Sequence, residues 1–461
     1  MEIILPEEIY QVISKFTKAN YRIYLVGGAV RDLLMKRPHK DWDLTTDATP
    51  EEILEIFPDG FYENTFGTVG IALEKVPHVS QVPQVPREVI EVTTMRKEGE
   101  YKDSRRPSEV SWTKEVTHDL ARRDFTINAI AIELDSTHPK PLLVDPFSGE
   151  EDITKKLIRA VGNPDTRFQE DALRLMRAVR LATQLGFEIE EETFKSIKTN
   201  AGLIKNISGE RIRDELFKIL SDKAAFKGVV TLRETGLLEN ILPEVTDCFG
   251  VLQEGPNHDR VYDIGEHNFL ALNFCPSEDP LVRLAALLHD IGKKKTYRKD
   301  NAGNVTFFGH ETVGASMSKA ISERLRLSKK DADRLFRLIR WHMFTVSEHQ
   351  TDSAIRRFIR NVGLENIDDM MAVRVGDRLG GGTVTETSWR TEEFKKRIEE
   401  VLKKPFSISD LKITGTEVME ILQIKPGRKV GEVLNQLFQE VLENSENNNS
   451  EYLTKRVKEL T

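Results

Sequence analysis

Two aspartates one residue apart, Asp41 and Asp43, follow a paired-glycine turn and an arginine in the stretch YLVGGAVRDLLMKRPHKDWDLTTD, residues 24–47. On a strand, side chains at i and i+2 leave the same face, so both carboxylates can share divalent metal ions. Tyr24 to Val26 are strand formers. Gly27 and Gly28 let the backbone approach a ligand closely, and a helix opening near Arg31 would turn its first N–H groups toward phosphate. A glycine-pair turn or an Asp-x-Asp pair alone is common by chance. Joined within about twenty residues, with Arg31 between them, they favour phosphoryl chemistry.

These residues need a small sheet to hold them. Residues 1–150 alternate short β-branched runs (IYLVGG, VGIALEK, EVIEVTTM, INAIAIEL, PLLVD) with helical stretches, which predicts an α/β head. Beyond about residue 151 the strand signals fade and helical apolar spacing takes over, as in DALRLMRAVRLATQLG and DPLVRLAALLHDIG. The expected fold is therefore α+β: a mixed-sheet head (1–150), then an elongated all-helical neck (151–225), body (226–400) and tail (401–461). The proline-broken segment 76–89 reads as a hairpin tip between head strands, and NSENNNS at 444–450 as an exposed turn.

Composition narrows the class. A chain of 461 residues with 39% apolar content is too long for one core and folds as several domains. No run of about eighteen apolar residues occurs, and the N-terminal MEIILPEEIY lacks a basic region before a long apolar stretch, so the expectation is a cytoplasmic protein without a membrane partner. Cys248 and Cys275 are the only cysteines and read as core residues rather than disulfide or zinc ligands. A net charge of −8 excludes a uniformly basic nucleic-acid coat, so any RNA contact must use segregated charge, as between Lys155 and Arg180, where seven Lys or Arg face three acidic residues.

GGAVRD with DWD, EGEYKDSRRP (98–107), RRDFTINAIA (122–131), EDALRLMRAVR (170–180) and SGERIRDELFKIL (208–220) occur in this order over the first half of the chain. Together they resemble the class II tRNA nucleotidyltransferases, the CCA-adding enzymes and their bacterial poly(A) polymerase relatives. The resemblance implies that Asp41 and Asp43 bind Mg2+, that Gly28 and Arg31 grip phosphate or ribose, and that Arg123 contacts the incoming nucleotide. Asp124 and Asn128 would shape the same pocket, with a helix-capping role as the alternative for Asp124. Read as one helix, Asp171, Arg174, Arg177 and Arg180 form a slanting stripe climbing about 13 Å, roughly the reach from a base to its terminal phosphate. The resemblance makes Asp171 and Arg174 the readers of cytosine or adenine, and Arg177 and Arg180 the phosphate contacts. The stretch MRKEGEYKDSRRPSEVSW resembles the flexible loop of enzymes able to add the terminal adenosine.

A second constellation lies in the helical half. LAALLHDIGK (284–293) sets His289 beside Asp290, with His267, His310, His342 and Asp377 on either side. This order resembles the HD phosphohydrolase superfamily, which implies imidazole and carboxylate ligands for one or two transition-metal ions and hydrolysis of phosphoesters. The alternative is an inherited helical body in which these histidines cap helices or line a core. The stretch DLKITGTEVMEILQIKPGRKVGEVLNQL resembles a tRNA-elbow tail.

The resulting expectation is a template-independent enzyme that adds CCA to the tRNA 3′ end from CTP and ATP and releases pyrophosphate. An A-adding nucleotidyltransferase, a poly(A) polymerase, and a metal-dependent phosphohydrolase with an inactive head stay open beside it. The residues leave the oligomeric state undetermined.

Overall fold

A computed structural model describes residues 5–38, 42–62, 67–72, 89–99, 110–135, 141–253, 263–301, 303–344, 351–383, 385–386, 388–402 and 408–460. Asp41, the expected hairpin tip at 76–88 and the loop stretch at 100–109 lie outside the described residues. The chain divides into two compact units, residues 1–243 and 244–461.

In the first unit, strands β1 (Ile23–Val26), β2 (Leu44–Thr46), β3 (Phe61–Tyr62), β4 (Thr68–Ala72) and β5 (Val89–Thr94) join a mixed sheet. Strands β6 (Arg96–Glu98) and β7 (Val110–Trp112) pair apart as an antiparallel ribbon. With β8 (Ala131–Leu134) and β9 (Leu142–Val144) the main sheet runs β3-β4-β5-β2-β1-β8-β9. Its centre sets Leu25 against Leu44 and Ile132, both antiparallel, and Leu44 against Val92 in parallel.

All four residues of β1 are buried because both faces of the sheet are covered. Ile23 and Leu25 join the core under the helix Glu7–Lys18, which contributes Ile9, Val12, Ile13 and Phe16. Tyr24 and Val26 join a second cluster with Met95, Leu120 and Ala131. The period-2 alternation of a strand thus feeds two cores and leaves the carboxyl end of β1 rigidly placed. That end is where the glycine turn begins.

Past the sheet the unit is helical, as expected, with one addition: β10 (Leu157–Ile158) and β11 (Glu188–Ile189) form a short parallel ribbon. The second unit is built from helices including Ile264–Phe274, Pro280–Leu288, His310–Arg324, Lys329–Arg340 and Ile367–Gly380. It too carries a small ribbon, β12 (Arg298–Lys299) with β13 (Val305–Thr306). Both cysteines are buried thiols.

The C-terminal helices Gly415–Leu422, Arg428–Glu443 and Ser450–Glu459 enclose their own core around Val418, Leu437 and Leu453. The exposed turn expected at 444–450 is corrected at its centre. Asn448 is buried; its Oδ1 accepts from the Lys412 N–H at 2.8 Å and its Nδ2 donates to the Asp410 carbonyl at 2.9 Å. A polar run reads as solvated unless the backbone groups that will satisfy it are known.

Candidate functional site

Gly27 adopts φ +73° between β1 and the helix Gly28–Leu34, a left-handed conformation that glycine enters without strain. A Cβ there would lie 3.0 Å from Arg123 Nη1 and 3.3 Å from Asp43 Oδ2. The turn therefore forms the floor beneath a carboxylate and a guanidinium. Asp43 is held at the entrance of β2, its carbonyl accepting from the Val26 N–H at 3.0 Å.

One cavity of about 650 Å3 collects Gly27, Gly28, Arg31, Asp43, Arg123, Asp124, Asn128, Asp171, Arg174, Arg177 and Arg180. Of the head residues singled out in the sequence, all but Asp41 therefore stand together. Arg31 donates from Nη1 to Asn128 Oδ1 at 2.8 Å, and Asn128 Nδ2 donates to Asp124 Oδ1 at 3.1 Å. Arg177 closes the chain on Asp124 Oδ2 at 2.6–2.7 Å. Burial pushes the Asp124 carboxyl up, but Arg177 and the Asn128 hydrogen bond outweigh it and hold it down at about 2. Asp124 also accepts from the Phe125 N–H just ahead of the short 3₁₀ turn Thr126–Asn128, so it is both a turn-initiating carboxylate and a pocket residue.

The single helix expected from residue 170 to 180 is corrected. One helix ends at Glu170, Asp171 is extended with φ −141° and ψ 104°, and a new helix runs Leu173–Leu185. Asp171 Oδ1 accepts from the Leu173 N–H at 3.0 Å, which explains the break: its short acceptor competes for a helix-start N–H. The stripe is thus three arginines on one helix, with Asp171 at the kink before it. Asp171 Oδ2 meets Arg211 Nη2 at 3.0 Å.

Arg174 is almost fully buried. Its Nη1 donates to the Arg167 carbonyl at 3.0 Å and to Glu170 at 2.6 Å, and its Nη2 to the Arg122 carbonyl at 2.9 Å. Three of five guanidinium hydrogens are so engaged with the described residues; Nε–H and the second Nη2 hydrogen remain as a two-pronged edge. Arg180 is held by Glu215 at 2.6 Å and by Gln184 at 2.9 Å.

Sequence reasoning missed Arg211 and Asp119. Asp119 is fully buried and binds Arg122 at 2.8 Å and Arg123 at 3.2 Å; those two arginines outweigh burial and keep it below the usual carboxylate range. The i, i+3 and i+4 spacing of Asp119, Arg122 and Arg123 was the available signal. Arg211 lay inside a quoted motif, but its partner is forty residues away. Among the described residues Arg123 Nε and Arg211 Nη1 are buried without hydrogen-bond partners, a surplus of donors suited to an anion.

The second unit brings all six residues of the other constellation together. Asp290 Oδ2 lies 3.3 Å from His267 Nε2 and 3.2 Å from His289 Nε2. Its Oδ1 lies 3.2 Å from His310 Nε2 and 3.6 Å from His342 Nε2. Asp377 Oδ1 reaches His267 at 3.3 Å and His289 at 3.5 Å. Two triads that could hold a metal ion, His267–His289–Asp290 and Asp290–His310–His342, therefore share one carboxylate.

Local sequence builds this centre. His289, His310 and His342 each place Nδ1 2.7–2.9 Å from the carbonyl three residues earlier, Ala286, Phe307 and Ile339. A carbonyl only accepts, so Nδ1 carries the proton and Nε2 turns inward, the arrangement a metal ligand needs. Glycines permit the close approach. A Cβ on Gly292 would lie 2.0 Å from the His310 carbonyl oxygen, and Cβ atoms on Gly376 and Gly380 would strike Ala271 backbone at 2.4 and 2.7 Å. Those two seat the Asp377 helix on the His267 helix.

The electrostatics favour positive charge at the centre. Burial opposes ionisation of Asp290 and Asp377, yet the surrounding imidazoles, joined at Asp290 by Lys293, hold both well below the usual carboxylate range. Burial would lower His267 and His289, but the same carboxylates raise both, His289 to about 10. Burial dominates at His342 and pushes it down. Four inward imidazoles around two carboxylates fit divalent transition-metal ions.

The first unit thus sets an arginine-lined cavity beside a mixed sheet, and the second gathers four histidines and two aspartates among helices. Residues 23–159 match the poly A polymerase head domain, 186–249 the "Probable RNA and SrmB- binding site of polymerase A", 260–373 the HD domain, and 328–457 tRNA nucleotidyltransferase domain 2. A CCA-adding enzyme of Geobacillus thermodenitrificans is 44% identical over 227 residues, 49% of this chain and 52% of that protein. One of Listeria monocytogenes serotype 4b is 42% identical over 243 residues, 53% of this chain and 58% of that one. The chain spans about half the length of the curated relatives it matches. The crystal structure of the Bacillus stearothermophilus CCA-adding enzyme in complex with CTP superimposes with TM-score 0.71 at 26% identity, covering 99% of this chain and 98% of that one. A Thermotoga maritima CCA-adding enzyme complexed with tRNA shares the fold, with TM-score 0.60 at 20% identity over 99% of this chain and 97% of that one. Its first half is thus similar to the class II tRNA nucleotidyltransferases and poly(A) polymerases, and its second half matches an HD domain.

Proposed function

We propose that the chain adds CCA to the 3′ end of tRNA from CTP and ATP, releasing pyrophosphate. The observation that carries this reading is that Asp43, the glycine turn, Asp171 and the open edge of Arg174 line one cavity. Asp171 supplies an acceptor and Arg174 a pair of donors, so protein groups can meet a base edge without a template strand. Arg177 and Arg180 extend the positive lining for phosphates, and the partnerless donors of Arg123 and Arg211 serve the same end. Gly27 keeps a side chain away from the Asp43 carboxylate, and Asp41 with Asp43 would hold Mg2+. When bound, that ion supplies charge neutralisation to the triphosphate and activates the RNA 3′-hydroxyl. The protein's own share is positioning and electrostatics.

The CCA-adding relatives favour this reading over A-only addition, poly(A) synthesis or hydrolysis alone. It is tested by extending tRNA transcripts that lack CCA, or end in C or CC, with CTP, ATP or both. Ordered addition that stops after CCA supports it; extension only of the CC-ending transcript, or long adenosine tails, overturns it.

The shared Asp290 favours a second activity in the same chain. The six-residue centre would hold transition-metal ions, whose chemistry when bound is to lower the pKa of water. In the hydrolysis proposed, water oxygen adds to phosphorus, the ester P–O bond breaks and the proton passes to the departing ribose oxygen. Cyclic or terminal phosphates at RNA ends are the candidate substrates. No described helix is long and apolar enough to cross a membrane, and we place both activities in the cytoplasm.

A further inference from the structure

A second cavity, about 450 Å3, opens in the HD-type unit between the residues following His342 and the helix carrying Asp377. Phe344, Arg374, Arg378, Trp389 and Arg390 line it, and among the described residues no carboxylate belongs to its lining. Resting on the hydrolytic reading above, we propose that this cavity is the substrate subsite of the HD centre and takes a nucleoside phosphate, base on the aromatic rings and phosphate on the arginines.

Arg374, Asp377 and Arg378 fall at i, i+3 and i+4 on one helix and share a face. Arg374 Nη1 reaches Asp377 Oδ2 at 3.2 Å, while the other Asp377 oxygen faces His267 and His289. Arg374 thus stands in the cavity wall while its partner Asp377 stands in the shell of the centre. On the opposite strand of sequence, Met343 and Phe344 follow the ligand His342 directly. The cavity therefore adjoins the centre rather than lying remote from it.

Its chemistry is divided. Arg378 Nε is buried and has no hydrogen-bond partner among the described residues, a donor that an anion would satisfy. The apolar side is rigid: Phe344 packs on Phe358 at 4.8 Å and stacks on Phe394 at 5.6 Å and 24°. Trp389 is 60% exposed, an unusual position for the largest apolar side chain. The Arg390 guanidinium lies 5.4 Å over its ring, and that of Arg374 5.6 Å over Phe344. A bare phosphate would use the arginines and leave the rings unmatched. A base stacks on such rings with little sequence preference, and the volume is that of a small-molecule site.

The test uses the full chain in chelator, so that nothing is hydrolysed, and follows Trp fluorescence and calorimetric heat on titration with adenosine 2′-monophosphate, adenosine or inorganic phosphate. The nucleotide is expected to bind at least about tenfold more tightly than either fragment, and Arg378→Gln and the exposed Arg390→Gln each to weaken it by about tenfold or more. Equal affinity for phosphate alone, or affinity within about twofold of wild type in both variants, overturns the assignment. Metal-loaded chain is then assayed on adenosine 2′,3′-cyclic monophosphate. Hydrolysis with unchanged KM in both variants removes the subsite and leaves the hydrolytic centre standing. Tight binding without metal-dependent hydrolysis removes the hydrolytic reading and leaves a nucleotide-binding cavity.

Discussion

Replacing Asp171 with alanine separates two jobs that the structure gives to one carboxylate. Oδ1 caps the helix Leu173–Leu185 through the Leu173 N–H, and Oδ2 holds Arg211, each at 3.0 Å. Losing the cap costs about 1 kcal/mol, and losing a partly exposed ion pair adds at most about 1 kcal/mol. The variant should therefore fold, with a loss of about 1–2 kcal/mol in urea unfolding. Base choice should suffer far more. Cytosine and adenine present an amino donor beside a ring acceptor, the complement of an Asp171 acceptor beside Arg174 donors; uracil and guanine present the reverse. A matched bidentate edge discriminates by about 1–3 kcal/mol, so the ratio of kcat/KM for CTP over UTP should fall roughly 5- to 150-fold in single-nucleotide extension. Asp171→Asn, which can still cap, should recover most of the stability but not the selectivity. Unchanged discrimination against UTP and GTP in both variants would refute the reasoning.

Asp43→Ala should abolish nucleotide addition while leaving the melting curve near wild type, checked by extension assay and calorimetry. Asp290→Asn should strip metal from both ligand triads, whereas His310→Ala should spare the His267–His289 side; metal content per chain by mass spectrometry distinguishes them. Gly376→Ala should cost about 1–3 kcal/mol, because the added carbon meets backbone, and should also lower metal content by prising Asp377 from His267. Asp124 has its carboxyl depressed to about 2, so its stabilisation is present above the unfolded pKa near 4 and is lost as pH falls through about 2. The shift corresponds to about 2 kcal/mol, and the stability gap between wild type and Asp124→Asn should close over that window. A gap constant from pH 5 to pH 2 would contradict the Arg177 pairing.

What the sequence made legible were features whose partners lie nearby or whose residue types are costly to place by chance. Gly27 in a positive-φ turn, Asp43 beside it and the clustering of four histidines with Asp290 and Asp377 were all readable in that way. The break at Asp171 was not, because helical periodicity continues through it and only the side chain's competition for the Leu173 N–H ends the first helix. Arg211 and Asn448 were missed because their partners lie 36–40 residues away. The Trp389 cavity was invisible for a similar reason: its rings and arginines come from three separate segments.

The three histidines that donate Nδ1–H to the carbonyl three residues behind them take their aim from a single turn of their own chain. Each ligand is oriented before any distant packing is complete, so folding need only bring ready-made pieces into contact. What remains non-local is clearance, supplied by Gly292, Gly376 and Gly380. On the hydrolytic reading, a single methyl group on one of these glycines would silence the centre with every histidine and aspartate still in place. An intact roster of ligands in a relative is weaker testimony to activity than the glycines between them.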